Sequence, residues 1–459
     1  MPDQIIAYAQ QQRQQYIQDL SDYVAIPSIS AQPEHAADVR SAALWLSQHL
    51  SRLGLRSSVM ETGGHPLVYA EWQHPDPARP TVLVYGHYDV QPAEPLDLWH
   101  SQPFQASVRD GIMYARGVTD NKGQHLAHIK AAESYLKCAG SLPVNLKFLI
   151  EGEEEIGGPN LGHFVAAHKD LLACDVVMIS DSSMLAPDQP LLISGLRGLV
   201  YFEVEARCAA HDLHSGSFGG NVQNPAMALA QVLSQLKDAQ GRITVPGFYA
   251  GVRVLGAEER AELSRIPVTE ATIMAESGAS QAFGEPEFSV LERMGARPTL
   301  EINGFWSGYT GPGAKTVLPA VAHAKISCRL IPHQDPHGIY LAVTSTMQRL
   351  APAGTTLTFT LLQGGNPGAL IDRDAPEIQA AIRAATATYG HAPIFTLEGG
   401  SIPVVTDFQS QLGKPIVLLG FGLPGANEHA PDEHLPLWCY EKGIEASIRF
   451  MAELKVRAV

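Results

Sequence analysis

Short, mostly apolar runs alternate along the chain with segments of helical periodicity. Residues 35–53 place Ala42, Leu46 and Leu50 on one helical face and end at Gly54, a residue type that often terminates helices. The apolar runs have the length of strands buried on both faces, although periodicity alone leaves a buried helix open for any one of them. The runs lie at 81–85, 146–150, 176–179 and 415–419. This alternation predicts an α/β domain with a mixed, mostly parallel sheet covered by helices.

The pattern changes near residue 195. Residues 197–207 alternate polar and apolar side chains, which indicates a strand with one face in water. The further predicted elements of this segment are a helix from Asn224 to Gly241, a strand at 325–330, a helix at 336–350 and a strand at 355–362. This order predicts an inserted α+β domain with an open-faced antiparallel sheet. We therefore expect residues 1–196 and 368–459 to form the first domain and residues 197–367 the inserted one.

Composition and charge exclude several classes of protein. The chain has 459 residues, more than one hydrophobic core usually serves, so two domains are expected. Its net charge of −15 argues against nucleic acid or an anionic membrane as a partner. No apolar stretch approaches the roughly 18–20 residues that span a bilayer.

The Gln-rich N-terminus predicts a solvated amphipathic helix without a signal-peptide core. Five scattered cysteines without a CxxC pair argue against disulfides and thiolate zinc sites, so we expect a cytoplasmic protein.

Residues that can bind metals follow each of the four apolar runs. They are Gly86-His87-Tyr88-Asp89, residues 151–157 (EGEEEIG), Ser180-Asp181 and Asn427-Glu428-His429. Ligands of open α/β sheets bind beyond the carboxyl ends of the strands, so these side chains are expected to converge. A fifth polar group at 117–123 contains Asp120 and precedes a predicted helix at 124–139.

The candidate donors are imidazole nitrogens and carboxylate oxygens, without a thiolate. This set suits zinc, and also manganese or cobalt. One metal needs three or four protein ligands, so the donors present can serve two divalent ions. A carboxylate between two metals about 3.5–4 Å apart would hold a bridging water and lower its pKa. A further carboxylate that binds no metal would then accept the proton of that water.

Each of these residues also has an ordinary structural interpretation. The alternatives are a hydrogen-bonded pair for His87 and Asp89, a solvated loop for residues 153–155, cap or turn roles for Asp120 and Asp181, and a surface position for His429. The metal interpretation is favoured because five separate groups fall where one ligand cluster requires them. The HExxH, Walker, GxSxG and dinucleotide-binding motifs are absent from the sequence.

Eight short motifs resemble, in order and over nearly the whole chain, those of the dinuclear zinc metallopeptidases that include aminoacylase, carnosinase and cytosolic nonspecific dipeptidase. They are GHYDVQP (86–92), RGVTDNKG (116–123), EGEEEIGG (151–158), ISDSS (179–183), HDLHSG (211–216), GAKTVLP (313–319), EGGSIP (398–403) and NEHAP (427–431). The resemblance is to the dipeptidase-like branch of this family. One difference is Gly157-Gly158 after the acidic cluster, where many relatives have Gly-Ser.

This resemblance implies two divalent metal ions per subunit, zinc above all. The implied ligands are His87 and Asp181 for one ion, Glu155 and His429 for the other, and Asp120 as the bridge between both. Asp89 is expected to orient His87 through a hydrogen bond. Glu154 is expected to be the general base that activates the metal-bridging water. The peptide bond after Asp120 is often cis in such proteins.

The resemblance also implies that the inserted domain is a lid and dimerisation domain. His214 is expected to stabilise the tetrahedral oxyanion from the partner subunit. Thr316, Arg329 and Ser401 match positions that hold the substrate in dipeptidase-type members, and Arg329 is suited to a terminal carboxylate. The structural alternatives are a lid-domain ion pair for Arg329 and turn capping for Thr316 and Ser401.

Together these residues predict a homodimeric metallohydrolase that cleaves dipeptides or very short peptides with a free C-terminal carboxylate. An N-acyl-amino-acid deacylase or desuccinylase with the same dinuclear centre is the alternative. A catalytically silent binding protein on this fold is disfavoured, because all five expected ligands and the expected base are present.

Overall fold

A computed structural model describes residues 2–400 and 402–454. The chain divides into two compact units. The first unit comprises Met1–Ser194, Ile371–Phe395 and Pro403–Val459, and the second comprises Gly195–Leu370 and Thr396–Ile402. The second unit thus begins at 195 where the sequence suggested 197, ends at 370 where it suggested 367, and adds the short segment 396–402.

The described residues form α-helices and β-strands in both units. The α-helices are α1 (Pro2–Gln11), α2 (Arg13–Val24), α3 (Ala36–Arg52), α4 (Lys122–Ala139), α5 (Leu161–Ala167), α6 (Lys169–Leu172), α7 (Ser215–Phe218), α8 (Pro225–Ser234), α9 (Ala257–Leu263), α10 (Glu270–Ser277), α11 (Pro336–Leu350), α12 (Pro376–Tyr389), α13 (Pro403–Leu412) and α14 (Leu437–Glu453). The strands are β1 (Arg56–Met60), β2 (Leu67–Trp72), β3 (Thr81–His87), β4 (Ser107–Arg109), β5 (Ile112–Tyr114), β6 (Asn145–Glu151), β7 (Val176–Ile179), β8 (Leu191–Leu196), β9 (Gly198–Arg207), β10 (Leu213–His214), β11 (Thr299–Ser307), β12 (Val317–Leu318), β13 (Val321–Leu330), β14 (Thr356–Asn366), β15 (Ala369–Leu370), β16 (Ile394–Glu398), β17 (Ile416–Leu418) and β18 (His434–Pro436).

The first unit contains a six-stranded sheet with the order β1-β2-β6-β3-β7-β17. Strands β6, β3, β7 and β17 run parallel to one another, while β1 and β2 are joined by antiparallel pairs. The prediction of a mixed, mostly parallel sheet is therefore confirmed. Because four strands run in one direction, the residues that follow them lie at the same edge of the sheet.

Helices of the first unit pack against this sheet and against one another. Helix α4 is buried along most of its length and contacts β3 and α14. The N-terminal segment forms two helices, α1 and α2, and the prediction of one solvated helix there was wrong. Ile5 and Ile6 of α1 and Leu20 of α2 are buried, because their apolar faces pack against α4. None of the helices in residues 2–400 and 402–454 is long and apolar enough to cross a membrane.

The second unit contains a four-stranded antiparallel sheet with the order β11-β13-β9-β14. Along β9 and β13, buried and partly exposed residues alternate, so one face joins a core with α8 and α11 while the other stays open. This confirms the open-faced antiparallel sheet. Strand β11 is an addition that the sequence did not predict. Helix α8 ends at Ser234 instead of 241, because the Asp238 side chain accepts backbone N–H groups in a turn at 238–242.

Candidate metal centre

His87 ends strand β3 in the first unit and is fully buried. Its Nδ1 lies 3.0 Å from the backbone oxygen of Asp89 and 3.4 Å from the Asp89 carboxylate. That carboxylate accepts the backbone N–H groups of Glu154 at 3.3 Å and Glu155 at 3.1 Å. Asp89 therefore fixes the His87 ring and the start of the acidic turn at the same time, and leaves His87 Nε2 directed into the site.

Asp120 lies between two imidazoles. Its Oδ1 is 3.0 Å from Nε2 of His87, and its Oδ2 is 2.8 Å from Nε2 of His429. The Asp181 carboxylate lies 3.7 Å from His87 Nε2, and the Glu155 carboxylate lies 3.2 Å from His429 Nε2. The five residues expected to bind metal are thus brought together, in two groups of three that share Asp120.

Hydrogen bonds and charge set the protonation of these groups. Burial lowers the pKa of His87, but the neighbouring carboxylates of Asp120, Asp181 and Asp89 together outweigh burial and raise this pKa well above its usual value. Hydrogen bonds to Asp120 and Glu155 raise the pKa of His429 to about 10. Burial raises the pKa of Asp120, yet hydrogen bonds from both imidazoles bring it below the usual range. The arrangement therefore favours positive charge around Asp120.

The glutamate side chains in residues 151–155 have different surroundings. The Glu151 carboxylate accepts a hydrogen bond from the Tyr85 hydroxyl. The Glu153 carboxylate accepts from the His65 backbone N–H at 3.1 Å and the Asn160 side chain at 2.7 Å. Glu154 begins a short 3₁₀ turn at 154–156. Burial, and then the charges of neighbouring carboxylates, raise its pKa to about 8. Burial also raises the pKa of Glu151 to about 8, so Glu151 and Glu154 both have the surroundings of a group that can exchange a proton near neutral pH. Glu151 differs in that its carboxylate accepts the Tyr85 hydroxyl.

One residue beside the ligands, Asn121, was not identified from the sequence. The Asn121 side chain donates to the Ser180 backbone oxygen at 2.6 Å and to the Asp181 carboxylate at 3.0 Å. The peptide bond between Asp120 and Asn121 is cis, as the resemblance implied. The place of Asn121 directly after Asp120 was the available signal in the sequence. Its hydrogen bonds connect the loops that carry two candidate ligands.

Gly86 permits the close approach of strand β3 to the start of helix α4. A Cβ atom at this position would lie 2.7 Å from Asn121 Oδ1 and 2.7 Å from His125 Cβ. We expect Gly86→Ala to lower the free energy of unfolding by about 1–3 kcal/mol, the usual cost of overpacking, as measured by urea denaturation. Gly304→Ala is the matched control, since its nearest neighbour would be at an ordinary 3.5 Å. Equal stability of both variants would contradict the close approach.

The candidate substrate residues lie in the second unit. His214 is exposed in β10, and its Nδ1 accepts the Gly216 backbone N–H at 3.1 Å, which leaves Nε2 as the nitrogen able to donate. Thr316 is also exposed. It lies beside His214, because its backbone oxygen accepts the N–H of the next residue, Ser215, at 3.0 Å. Ser401 lies outside the described residues.

Arg329 occupies the open face of the sheet of the second unit, on strand β13. Burial, and then the charge of Arg329, lower the pKa of Arg197 to about 10. The Arg197 side chain donates to the Gly399 backbone oxygen at 2.9 Å, two positions before Ser401 in the sequence. Arg197, which was not anticipated from the sequence, thus lies at Gly399 and close enough to Arg329 for the two charges to interact.

The chemistry of the donor set fits divalent cations. Within each group, the donor atoms lie within 4.8 Å of one another, and they are the nitrogen and oxygen donors that zinc, manganese or cobalt accept. A third cluster, Asp19, His49 and Glu133, differs because it encloses an ammonium group. The Lys130 Nζ lies 2.9 Å from His49 Nε2 and 2.8 Å from the Glu133 carboxylate. In that cluster a side-chain cation, Lys130, is already paired with both carboxylates.

Comparison with known proteins extends the similarity over nearly the whole chain. A model of peptidase family M20/M25/M40 matches residues 83–453. The Beta-Ala-His dipeptidase of Rattus norvegicus is 31% identical over 471 residues, covering 98% of this chain and 95% of that protein. The Cys-Gly metallodipeptidase dug1 of Schizosaccharomyces pombe is 31% identical over 475 residues, covering 98% of both. The crystal structure of the M20 family metallo-carboxypeptidase Sso-CP2 from Sulfolobus solfataricus has a TM-score of 0.82 at 32% identity, covering 96% of this chain and 98% of that one.

Proposed function

This chain belongs to peptidase family M20/M25/M40, and on that premise we propose that it is a metal-dependent dipeptidase. Its substrates are dipeptides or very short peptides with a free C-terminal carboxylate. Similar proteins named as Beta-Ala-His and Cys-Gly dipeptidases favour this substrate class. The likeness to a metallo-carboxypeptidase supports recognition of a terminal carboxylate, since such an enzyme acts next to that group.

The observation that carries the proposal is the pair of three-residue groups that share Asp120. His87, Asp120 and Asp181 would hold one divalent cation, and Asp120, Glu155 and His429 would hold another. When bound, such cations polarise the substrate carbonyl and lower the pKa of the attacking water. We propose zinc as the ion, with manganese or cobalt as alternatives that the same donors accept.

The side chains of the protein move the protons and orient the substrate. Glu154 accepts a proton from water while the water oxygen bonds to the carbonyl carbon, and it passes this proton to the leaving nitrogen as the C–N bond breaks. His214 donates a hydrogen bond to the oxyanion that forms on the carbonyl. Arg329, with Thr316 and Ser401, binds the terminal carboxylate, for which the guanidinium fork is suited. The products are one carboxylate and one free amine.

We expect His214→Ala to lower turnover about 100- to 1000-fold, the usual effect of removing one oxyanion donor. The metal content should be unchanged, because His214 belongs to neither ligand group. Steady-state kinetics with metal analysis of the same sample would measure both. His211→Ala is the matched control, an exposed histidine three residues earlier with no assigned role. Unchanged kinetics of His214→Ala would remove the residue from the mechanism.

The second unit is proposed to act as a lid and to join two copies of the chain into a homodimer. The cytoplasm is the proposed location, since all five cysteines are free, as is usual in reducing compartments. Sedimentation of the purified protein would test the dimer.

A substrate panel tests the proposed activity. Protein loaded with zinc or manganese should release amino acids from unblocked dipeptides and should lose this activity with a chelator. The same dipeptides with a C-terminal amide should be poor substrates, because they lack the carboxylate that Arg329 would bind. Turnover of N-acetyl or N-succinyl amino acids instead would favour the deacylase alternative. Two bound metals without turnover of any panel member would reject the enzyme.

A further inference from the structure

Glu433 is a fully buried carboxylate in the loop that follows His429. Its Oε2 accepts hydrogen bonds from Arg116 at 2.9 Å and from the Gly117 backbone N–H at 2.8 Å. Its Oε1 accepts the backbone N–H groups of Thr119 at 2.9 Å and Asp120 at 3.0 Å. Both oxygens are thus used, and three of the four donors belong to the loop that ends in Asp120.

The chemistry of these four donors requires a carboxylate. Each donor is an N–H group, and a carboxylate offers only acceptors on both oxygens. A buried N–H group without an acceptor costs about 1–3 kcal/mol. Residues 117–120 form a turn before helix α4. The amides of Gly117, Thr119 and Asp120 therefore donate to the Glu433 side chain, whereas a helix or strand would supply backbone acceptors. Glutamine is isosteric but would direct an NH₂ group at N–H donors.

The same contacts connect the segments that carry the candidate ligands. The Glu433 backbone oxygen accepts the Ala115 N–H at 3.1 Å, and the Thr119 hydroxyl donates to the His434 backbone oxygen at 2.7 Å. Arg116 also donates to the Pro92 backbone oxygen at 3.1 Å, in the segment that follows His87. The loops of His87, Asp120 and His429 are therefore held by one buried ion pair.

We propose that Glu433 is a positioning residue that fixes the backbone of Asp120 and thereby sets the affinity of both cation sites. The inference rests on the metal centre of the proposed function. Asp120 is the residue that both ligand groups share, so a displacement of Asp120 would affect both cation sites. Residues that orient ligands without touching the metal usually change metal affinity about 10- to 100-fold. The alternative is that Glu433 only stabilises the fold, in which case its replacement leaves metal affinity unchanged.

Zinc affinity of the purified full chain, measured by competition with a chromogenic chelator, separates these alternatives. Glu433→Gln should bind zinc about 10- to 100-fold more weakly at both sites. Turnover at saturating zinc should fall much less than zinc affinity does, since Glu433 is assigned no part in the chemical step. Glu133→Gln is the matched control. It removes another carboxylate that is paired with a buried cation, Lys130, so it should lower thermal stability and leave zinc affinity unchanged.

A folded Glu433→Gln variant with wild-type zinc affinity overturns the proposal, whatever its thermal stability. If Glu433→Gln does not fold, Glu433→Asp decides, because it keeps the charge for Arg116 but is too short to reach all the amides. Glu433→Asp should fold and bind zinc more weakly than the wild type. Wild-type zinc affinity, or failure to fold, would show that Glu433 only stabilises the fold. Zinc binding is measured without substrate. Inactivity of the wild type toward dipeptides would thus reject the proposed function and leave this inference standing.

Discussion

Glu154→Gln is expected to bind zinc as the wild type does and to lose turnover about 100- to 10,000-fold, the usual contribution of a positioned general base. The substitution keeps the size of the side chain and removes its ability to accept a proton. Glu154 belongs to neither group of candidate ligands, so metal content should not change. Burial and the neighbouring carboxylates raise its pKa to about 8, which places the group near the proton affinity that such a step needs. Steady-state kinetics on metal-analysed protein would measure the effect.

Glu153→Gln, one residue earlier, is the matched control for this prediction. The Glu153 carboxylate accepts structural hydrogen bonds from the His65 backbone and the Asn160 side chain, and a Gln oxygen still accepts one of them. We expect a modest loss of stability and nearly normal turnover. Full activity of Glu154→Gln, or an equal loss in the two variants, would show that the base has been assigned to the wrong residue.

Asp120→Ala is expected to weaken zinc binding at both sites by more than about 100-fold, the upper end of the range for residues that act indirectly on a metal. Turnover should fall to the level of the chelator-treated protein. The reason is geometric, since the two carboxylate oxygens face different imidazoles at 3.0 Å and 2.8 Å. Titration with a chromogenic chelator would give the affinity and stoichiometry of the variant.

Two single-site variants serve as controls for the shared role of Asp120. His87→Ala should weaken one site and His429→Ala the other, because each imidazole belongs to one group only. If Asp120→Ala retains one site of wild-type affinity, the residue does not bridge the two ions.

Much of the fold could be predicted from the sequence because its elements have clear periodicity. The apolar runs at 81–85 and 176–179 become β3 and β7, since both of their faces are buried. Strand β11 was missed because several of its side chains, among them Ile302, Phe305 and Trp306, are exposed, and its apolar positions do not alternate. The predicted end of α8 was too far along the chain. The turn at 238–242 depends on hydrogen bonds to the Asp238 side chain, which the hydrophobic periodicity of the sequence does not indicate.

Four candidate ligands could be anticipated because they follow strands whose carboxyl ends share one edge of the sheet, whereas Asp120 lies in a turn before helix α4. Of the residues that support them, Asp89 was anticipated, whereas Asn121 and Glu433 were not. Asn121 and Glu433 are fully buried in loops, and their importance comes from backbone groups that only the folded chain brings within reach. A sequence shows which side chains are chemically able to bind a cation, whereas hydrogen bonds between loops far apart in the chain decide how they are held. The roles of the ligands, of Glu154 and of His214 stay predictions.

Anomalous diffraction from crystals grown with zinc would show whether Asp120 bridges two ions. We expect two zinc peaks per chain, about 3.5–4 Å apart, each about 2.0–2.2 Å from a carboxylate oxygen of Asp120. His87 and Asp181 should contact one ion, and Glu155 and His429 the other. A single peak, or two peaks that do not share Asp120, would rule out the bridged pair of cations.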